Sequence, residues 1–246
     1  MSDHVETRRE DGVLVLRMNR PDKKNALTRA MYAALTAGLA QAEGDDAIAA
    51  TVILGLPGTF SAGNDIADFA AIAAGGEAPV EVRGFLHGLA RATKPLVAGV
   101  DGLAIGIGTT LLMHCDLVVA SAGSTFRTPF LDLGLTPEAG SSLLGPRLMG
   151  AQRAFALLVL GEALSAEDAR QANIVTRVVE ADAEGAALDA ARRLARKPRG
   201  ALLAARALLR GDPEPTVRRI DEEIELFAER LRSPEARAAF AAFLKR

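Results

Sequence analysis

Lys94-Pro95-Leu96-Val97-Ala98-Gly99-Val100-Asp101-Gly102-Leu103-Ala104-Ile105-Gly106-Ile107-Gly108 passes from a short apolar run into a glycine-rich turn. Leu96 to Val100 has the length and composition of a buried strand, and the turn after it opens a helical segment. A membrane span over Pro95 to Met113 is excluded, because the stretch holds Asp101, four glycines and two threonines and lacks basic anchors on both sides. A dinucleotide fingerprint also fails, since the spacing Gly106, Gly108 needs a third glycine at the place held by Leu111.

The same alternation extends in both directions. Val13 to Met18, Ala50 to Leu54 and Leu117 to Ala120 read as strands, the first preceded by a turn at Asp11-Gly12, and segments of helical pattern separate them. Thr28 is placed to cap a helix that carries Met31, Leu35, Leu39 and Ala42 on one face and stops near Gly44. Strand, turn and helix in repetition predict an α/β core. From about Thr136 the pattern is mainly helical, with capped starts near Ser165, Asp182, Pro213 and Ser233. Phe227, Leu231, Phe240 and Phe243 form an apolar stripe in the last helices, suited to packing on the chain itself or on a second copy.

Composition narrows the function classes. Hydrophobic residues at 49% and charged residues at 24% are the balance of a soluble globular protein, not of a disordered chain. A formal charge of −2, with both signs interspersed, argues against nucleic acid as a partner. The single Cys115 cannot form an internal disulfide, and with His4, His87 and His114 it makes no zinc spacing, so no metal is expected. Met1 to Arg9 is polar, without the apolar core of a secretory signal, so a cytoplasmic location is expected.

Two glycine turns carry the chemistry. Ser61-Ala62-Gly63-Asn64-Asp65 and Ala104-Ile105-Gly106-Ile107-Gly108 stand about forty residues apart, each between a strand and a helix. The first is not a serine-nucleophile elbow, because Ser61 sits one place too late for GxSxG. Each turn presents free backbone N–H groups, and two such donors converging on one point would hold a developing oxyanion. Two ordinary turns are the competing interpretation.

Asn19-Arg20-Pro21-Asp22-Lys23-Lys24-Asn25-Ala26-Leu27, Phe60-Ser61-Ala62-Gly63-Asn64-Asp65 and Lys94 to Gly102, in this order and spacing, resemble the crotonase (enoyl-CoA hydratase/isomerase) superfamily over nearly the whole chain. Thr125 to Phe130 and Leu133 to Ser142 resemble the peroxisomal-type delta-3, delta-2-enoyl-CoA isomerases more than the two-glutamate hydratases. The resemblance implies a crotonase spiral of ββα units over residues 1–190, holding the site, and a helical oligomerisation region over 191–246 that builds a homotrimer or a dimer of trimers. It implies an acyl-CoA thioester as substrate, with no metal or redox cofactor; charge and hydropathy leave no part for nucleic acid or a membrane. It further implies that the N–H groups of Asn64 and Ile107 form the oxyanion hole, and that CoA runs along Lys23, Lys24, Ala26, Ala62, Asp65 and Ile66.

Departures from the hydratase pattern sharpen the expectation. Thr110 and Phe130 stand where the resembled hydratases carry their two glutamates. Hydration must activate water and protonate the α-carbon, whereas moving a double bond from C3 to C2 needs one base that takes a proton from C2 and returns one at C4. Glu138, at the resembled isomerases' glutamate position, is the expected proton shuttle. Enoyl-CoA hydration and a non-catalytic acyl-CoA-binding subunit are the alternatives. Locally, Thr136, Pro137 and Glu138 read as N-cap and first two positions of a helix, which would favour the carboxylate and weaken it as a base unless burial near Phe126, Phe130 and Leu133 compensates. Asp101, Asp116, His87 and His114 read as structural groups, and Asp65 as a turn residue on the CoA side.

Overall fold

A computed structural model describes residues 3–66, 68 and 80–243. β1 (Val5–Glu10) and β2 (Val13–Met18) form an antiparallel hairpin across Asp11-Gly12, where positive φ at both residues suits the right-handed twist of the strands. α1 (Arg29–Gly44) follows, and the Thr28 hydroxyl accepts from the Met31 N–H at 3.3 Å as the expected cap. Next come β3 (Ala50–Leu54), β4 (Thr59–Ser61), α2 (Val80–Arg91), β5 (Leu96–Val100), β6 (Leu103–Ile105), α3 (Ile107–Thr110), β7 (Leu117–Ser121) and β8 (Thr125–Arg127). The remainder holds α4 (Ser141–Met149), α5 (Ala151–Phe155), β9 (Leu164–Ser165), α6 (Ala166–Gln171), β10 (Arg177–Val179), α7 (Ala183–Ala195), α8 (Arg199–Arg210), α9 (Glu214–Leu231) and α10 (Pro234–Phe243).

Two sheets share the strands in alternation. One has the order β1-β2-β3-β5-β7-β10 and the other β4-β6-β8-β9. β3 then β4, β5 then β6, and β7 then β8 each place one strand in the first sheet and the next in the second. Successive pairs stack in parallel. The chain therefore winds as a spiral of ββα units.

Alternation within the strands sorts side chains between two cores. Val13 and Val15 pack with Val52, Val97 and α7, whereas Leu14 and Leu16 face the main core with Ile53 and Ala98. A strand buried on both faces reads as a continuous apolar run, as β3 and β5 do.

The C-terminal helices close over the main core. Val217, Ile220, Ile224 and Leu231 on α9 are buried, each worth about 1.5–3 kcal/mol. Leu231 and Phe240 are buried and Phe227 partly buried in this chain's own core. That stripe packs at home for these three; the Phe243 side chain lies outside the described residues. Ser165 and Asp182 cap their helices as expected, and no described helix is long and apolar enough to cross a membrane.

Candidate active site

Each glycine turn sits at the end of a strand of the second sheet, β4 for the first and β6 for the second, and those strands are neighbours. The turns consequently touch: a Cβ added to Gly106 would lie 3.8 Å from Gly63 Cα. Gly63 (φ 97°) and Gly106 (φ 56°) hold conformations that L side chains rarely adopt.

Hydrogen bonding sets where the free donors face. Leu27 donates to the Gly63 carbonyl at 2.8 Å and accepts from the Asp65 N–H at 2.9 Å, a parallel bridge that turns the Asn64 N–H to the opposite side. Ile107 opens α3 directly after Gly106, where a helix leaves its first N–H groups unpaired. Among the described residues no acceptor takes the N–H of Asn64 or Ile107. Asn64, with Gly63 and Gly106, lines one side of a cavity of about 130 Å³ whose other walls include the apolar Phe130, Leu135 and Phe227; Ile107 and Glu138 are not among its lining residues.

A polar clamp holds the first turn. Asn25 is fully buried, its amide donating to the carbonyls of Thr59 and Phe60 at 3.1 Å while its oxygen accepts from the Arg20 N–H at 2.7 Å. The Ser61 hydroxyl donates to the Asn25 carbonyl and accepts from the Gly63 N–H. Arg20 donates to Asp65 at 2.5 Å and to the Ala26 carbonyl at 3.0 Å, so loop 20–27 and turn 61–65 form one unit. Tyr32, buried on α1, donates its hydroxyl to the Asn64 side-chain oxygen at 2.5 Å.

Glu138 lies on an irregular loop next to the helix that follows the second turn. Its side chain is buried, and the Thr110 hydroxyl at the end of α3 donates to its Oε1 at 2.7 Å, which links the acid to the second turn. Burial pushes the carboxyl up to about 8, the Thr110 hydrogen bond acts in the opposite direction, and the nearby Glu223 adds to the rise. The Glu138 charge in turn helps burial raise the Tyr32 phenol well above its ordinary value.

One expectation is overturned. The helix starts at Ser141, not at Thr136, because Ala139 (φ 62°) and Gly140 (φ 71°) are left-handed and no α-helix runs through such residues. Glu138 is therefore a loop residue, and Thr136 caps nothing: its hydroxyl is buried without a partner. The anticipated weakening by a helix terminus gives way to a net rise driven by desolvation.

The structure brings Ala62, Ile66 and Asn64 to the cavity wall, with Ala26 and Asp65 in the adjoining clamp. Lys23 and Lys24 are exposed on the same loop. Part of the stretch Ala67 to Arg91, which the family resemblance implies forms the pocket walls, lies outside the described residues. Asp101 bonds the Gly58 N–H and the Ser121 hydroxyl, Asp116 pairs with Arg206 and Arg210, and His87 pairs with Asp221, all structural as expected. His114 is buried and neutral, held down to about 4, and must donate from Nε2 to the Ala139 carbonyl at 2.7 Å.

Sequence reasoning missed Asn25, Tyr32 and Glu223. Two of them left a trace: Tyr32 is the only tyrosine, and Glu223 is an acid one turn from Ile220 and Phe227 on the apolar face of α9.

A ββα spiral whose two glycine turns meet beside an apolar cavity is the crotonase fold. A family model described as enoyl-CoA hydratase/isomerase matches residues 8–246, and the chain belongs to that family of enzymes. Enoyl-CoA delta isomerase 2 of Rattus norvegicus is 35% identical over 220 residues, 87% of this chain and 56% of that protein. This chain thus spans little more than half of that relative. The 1,2-epoxyphenylacetyl-CoA isomerase of Escherichia coli (strain K12) is 35% identical over 80% of this chain and 76% of its own. Among solved structures, OdaA of Pseudomonas aeruginosa superposes with a TM-score of 0.95 at 42% identity, covering both chains fully.

Proposed function

We propose that the protein isomerises 3-enoyl-CoA thioesters to trans-2-enoyl-CoA. The observation that carries this reading is the pairing of one buried acid, Glu138, with a neutral hydroxyl, Thr110, at the place where the resembled hydratases carry a glutamate. One acid suffices for a shuttle. The thioester carbonyl sits between the N–H groups of Asn64 and Ile107, and Glu138 takes the C2 proton. The charge spreads into a dienolate held by the two amides, and the carboxyl returns the proton at C4. A carboxyl poised near 8 is suited to both transfers, because neither protonation state is far out of reach at neutral pH. The chemistry needs no metal or redox group.

CoA lies along Lys23, Lys24, Ala26, Ala62, Asp65 and Ile66, with the exposed lysines near its phosphates. Exposed Phe155 at the end of α5 and Leu160 just after it, and Leu208 and Leu209 on α8, fit burial between subunits of a trimer or hexamer in the cytoplasm. Parallel assays with 3-hexenoyl-CoA and crotonyl-CoA test the reading. Turnover of the first to the 2-enoyl product, with slow or no hydration of the second, is expected. Rapid hydration of crotonyl-CoA with no isomerisation would replace it with a hydratase.

A further inference from the structure

We propose that Glu223 is a positioning residue whose carboxylate, reaching over from α9, fixes the loop that carries Glu138 and so ties the setting of the acid to the seating of the C-terminal helix. This inference rests on the isomerase reading for its rate effects, and on geometry alone for the rest.

Glu223 is nearly fully buried, and donors from one short segment surround it. The Gly140 N–H reaches Oε2 at 2.6 Å, while the Ser142 N–H and hydroxyl reach Oε1 at 2.9 and 2.5 Å. These are the first free donors of α4, whose own N-cap, Gly140, has no side chain to satisfy them. A carboxylate more than eighty residues away in sequence supplies the cap instead. Three donors aimed at two oxygens, with Arg219 nearby, favour the charged carboxylate and oppose the burial that raises Glu223 above its ordinary value.

The segment so held cannot hold itself. Ala139 and Gly140 are both left-handed, and a left-handed non-glycine residue is strained enough to need support from its surroundings. Below, His114 donates to the Ala139 carbonyl; above, Glu223 takes the Gly140 N–H, so the two residues after Glu138 are gripped from both sides. Helix α9 also packs closely here, since a Cβ on Gly140 would come within 3.3 Å of Ile220 and Thr216.

Charge follows position. Among the described residues, the titratable and charged groups that act on the acid or its loop are Tyr32 from α1, His114 bonded to the loop, and Glu223 with Arg219 from α9, alongside the neutral Thr110 hydroxyl at the end of α3. His114 stays neutral above about pH 4 and Tyr32 stays protonated, so the carboxylate of Glu223 is the charge that acts on Glu138. Arg219 donates to the Ser142 hydroxyl at 3.1 Å and partly offsets that charge.

The test measures two quantities in the full chain. The first is the titration midpoint of Glu138, followed by infrared difference spectroscopy and assigned by the band lost in Glu138→Gln. The second is the kcat and KM for 3-hexenoyl-CoA. Glu223→Gln keeps the shape, removes the charge and points an amide N–H at one of the loop donors. The midpoint is expected to fall by about one pH unit, and kcat by about 10- to 100-fold with KM within about threefold. In a folded, active variant, either quantity left unchanged overturns the proposal. If Glu223→Gln does not fold, Arg219→Gln decides, because Arg219 is partly exposed and its loss spares the core. An upward midpoint shift of about 0.3 pH unit supports the proposal, and no shift or a downward one overturns it. A wild-type protein that isomerises nothing, yet whose Glu138 midpoint moves as stated in these variants, refutes the isomerase reading and leaves the link between Glu223 and Glu138 standing.

Discussion

The two halves of the proposed site are built in opposite ways. The amide half is main chain in the turns that end two adjacent strands, the first turn wired by Asn25, Ser61 and Arg20 into a loop close by. The acid half is one side chain on an irregular loop: Thr110 bonds the carboxyl, while His114 from the same segment and Glu223 from α9 hold the backbone of the two residues after it. Main chain on neighbouring strands comes into register through the ladder that forms the sheet. A single carboxyl needs a separate contact for every degree of freedom it loses, and that difference predicts where substitutions should hurt.

The largest effect belongs to the acid. Glu138→Gln keeps the shape and removes the base, so kcat for 3-hexenoyl-CoA should fall by about 10²- to 10⁴-fold with KM little changed. In the wild type, kcat/KM should rise with pH through about 8, as the carboxyl loses the proton that blocks abstraction at C2. The same substitution should stabilise the fold. A carboxyl raised by folding binds its proton more tightly in the native state, so stability falls as pH rises from about 4.5 to about 8, and glutamine removes that slope. A gain of about 1–3 kcal/mol in thermal unfolding at pH 8 is expected. An active Glu138→Gln would move the base elsewhere, Asp65 being the next acid to test.

Second comes the amide half. Gly106→Ala forces a side chain into a φ of 56° with ψ of −120°, a conformation suited to glycine, and displaces the Ile107 N–H. Loss of one oxyanion donor should lower kcat by about 10²- to 10³-fold. A variant with native melting and native rate would mean that Ile107 does not face the thioester oxygen.

The contrast also explains how much was legible in the sequence. Glycines at Gly63 and Gly106 mark positions where the backbone must take unusual angles, so the two turns could be read along the chain, whereas the three-residue strands β4 and β6 before them were too short to read and the roles of Asn64 and Ile107 came from the family resemblance. Leu96 to Val100 and the Thr28 cap could be read for the same local reasons. Thr136 to Glu138 was misread as a helix start because the Thr-Pro-Glu pattern is locally favourable there. The two left-handed residues that follow, the first of them an alanine, overrule it. Glu223 was passed over because capping a helix more than eighty residues away is a tertiary fact with no local signature beyond an acid on an apolar stripe.

A smaller effect is expected at Thr110, where the two halves meet. Thr110→Val keeps the branched shape and removes the hydroxyl that donates to Glu138. Losing a donor to the charged form raises the carboxyl further, so the rising limb of kcat/KM should move above about 8. At pH 7 the rate should drop by about three- to tenfold, with recovery at higher pH. A limb that moves down instead would show that the hydroxyl serves the protonated carboxyl.

Tyr32→Phe should matter least, and its smallness is the sharpest check on the amide half. The phenylalanine ring keeps the 5.6 Å contact with Phe85 and drops only the hydroxyl that binds the Asn64 side chain. If the oxyanion donor is the Asn64 backbone N–H, its direction is set by the Leu27 bridge on either side of it, which this change leaves alone. The unpaired Asn64 oxygen should then cost about 1 kcal/mol of stability, and kcat should stay within about threefold of wild type. A loss of about 30-fold or more, well beyond that single hydrogen bond, would mean that the asparagine side chain itself meets the thioester or its enolate. The amide half would then depend on a held side chain, as the acid half does.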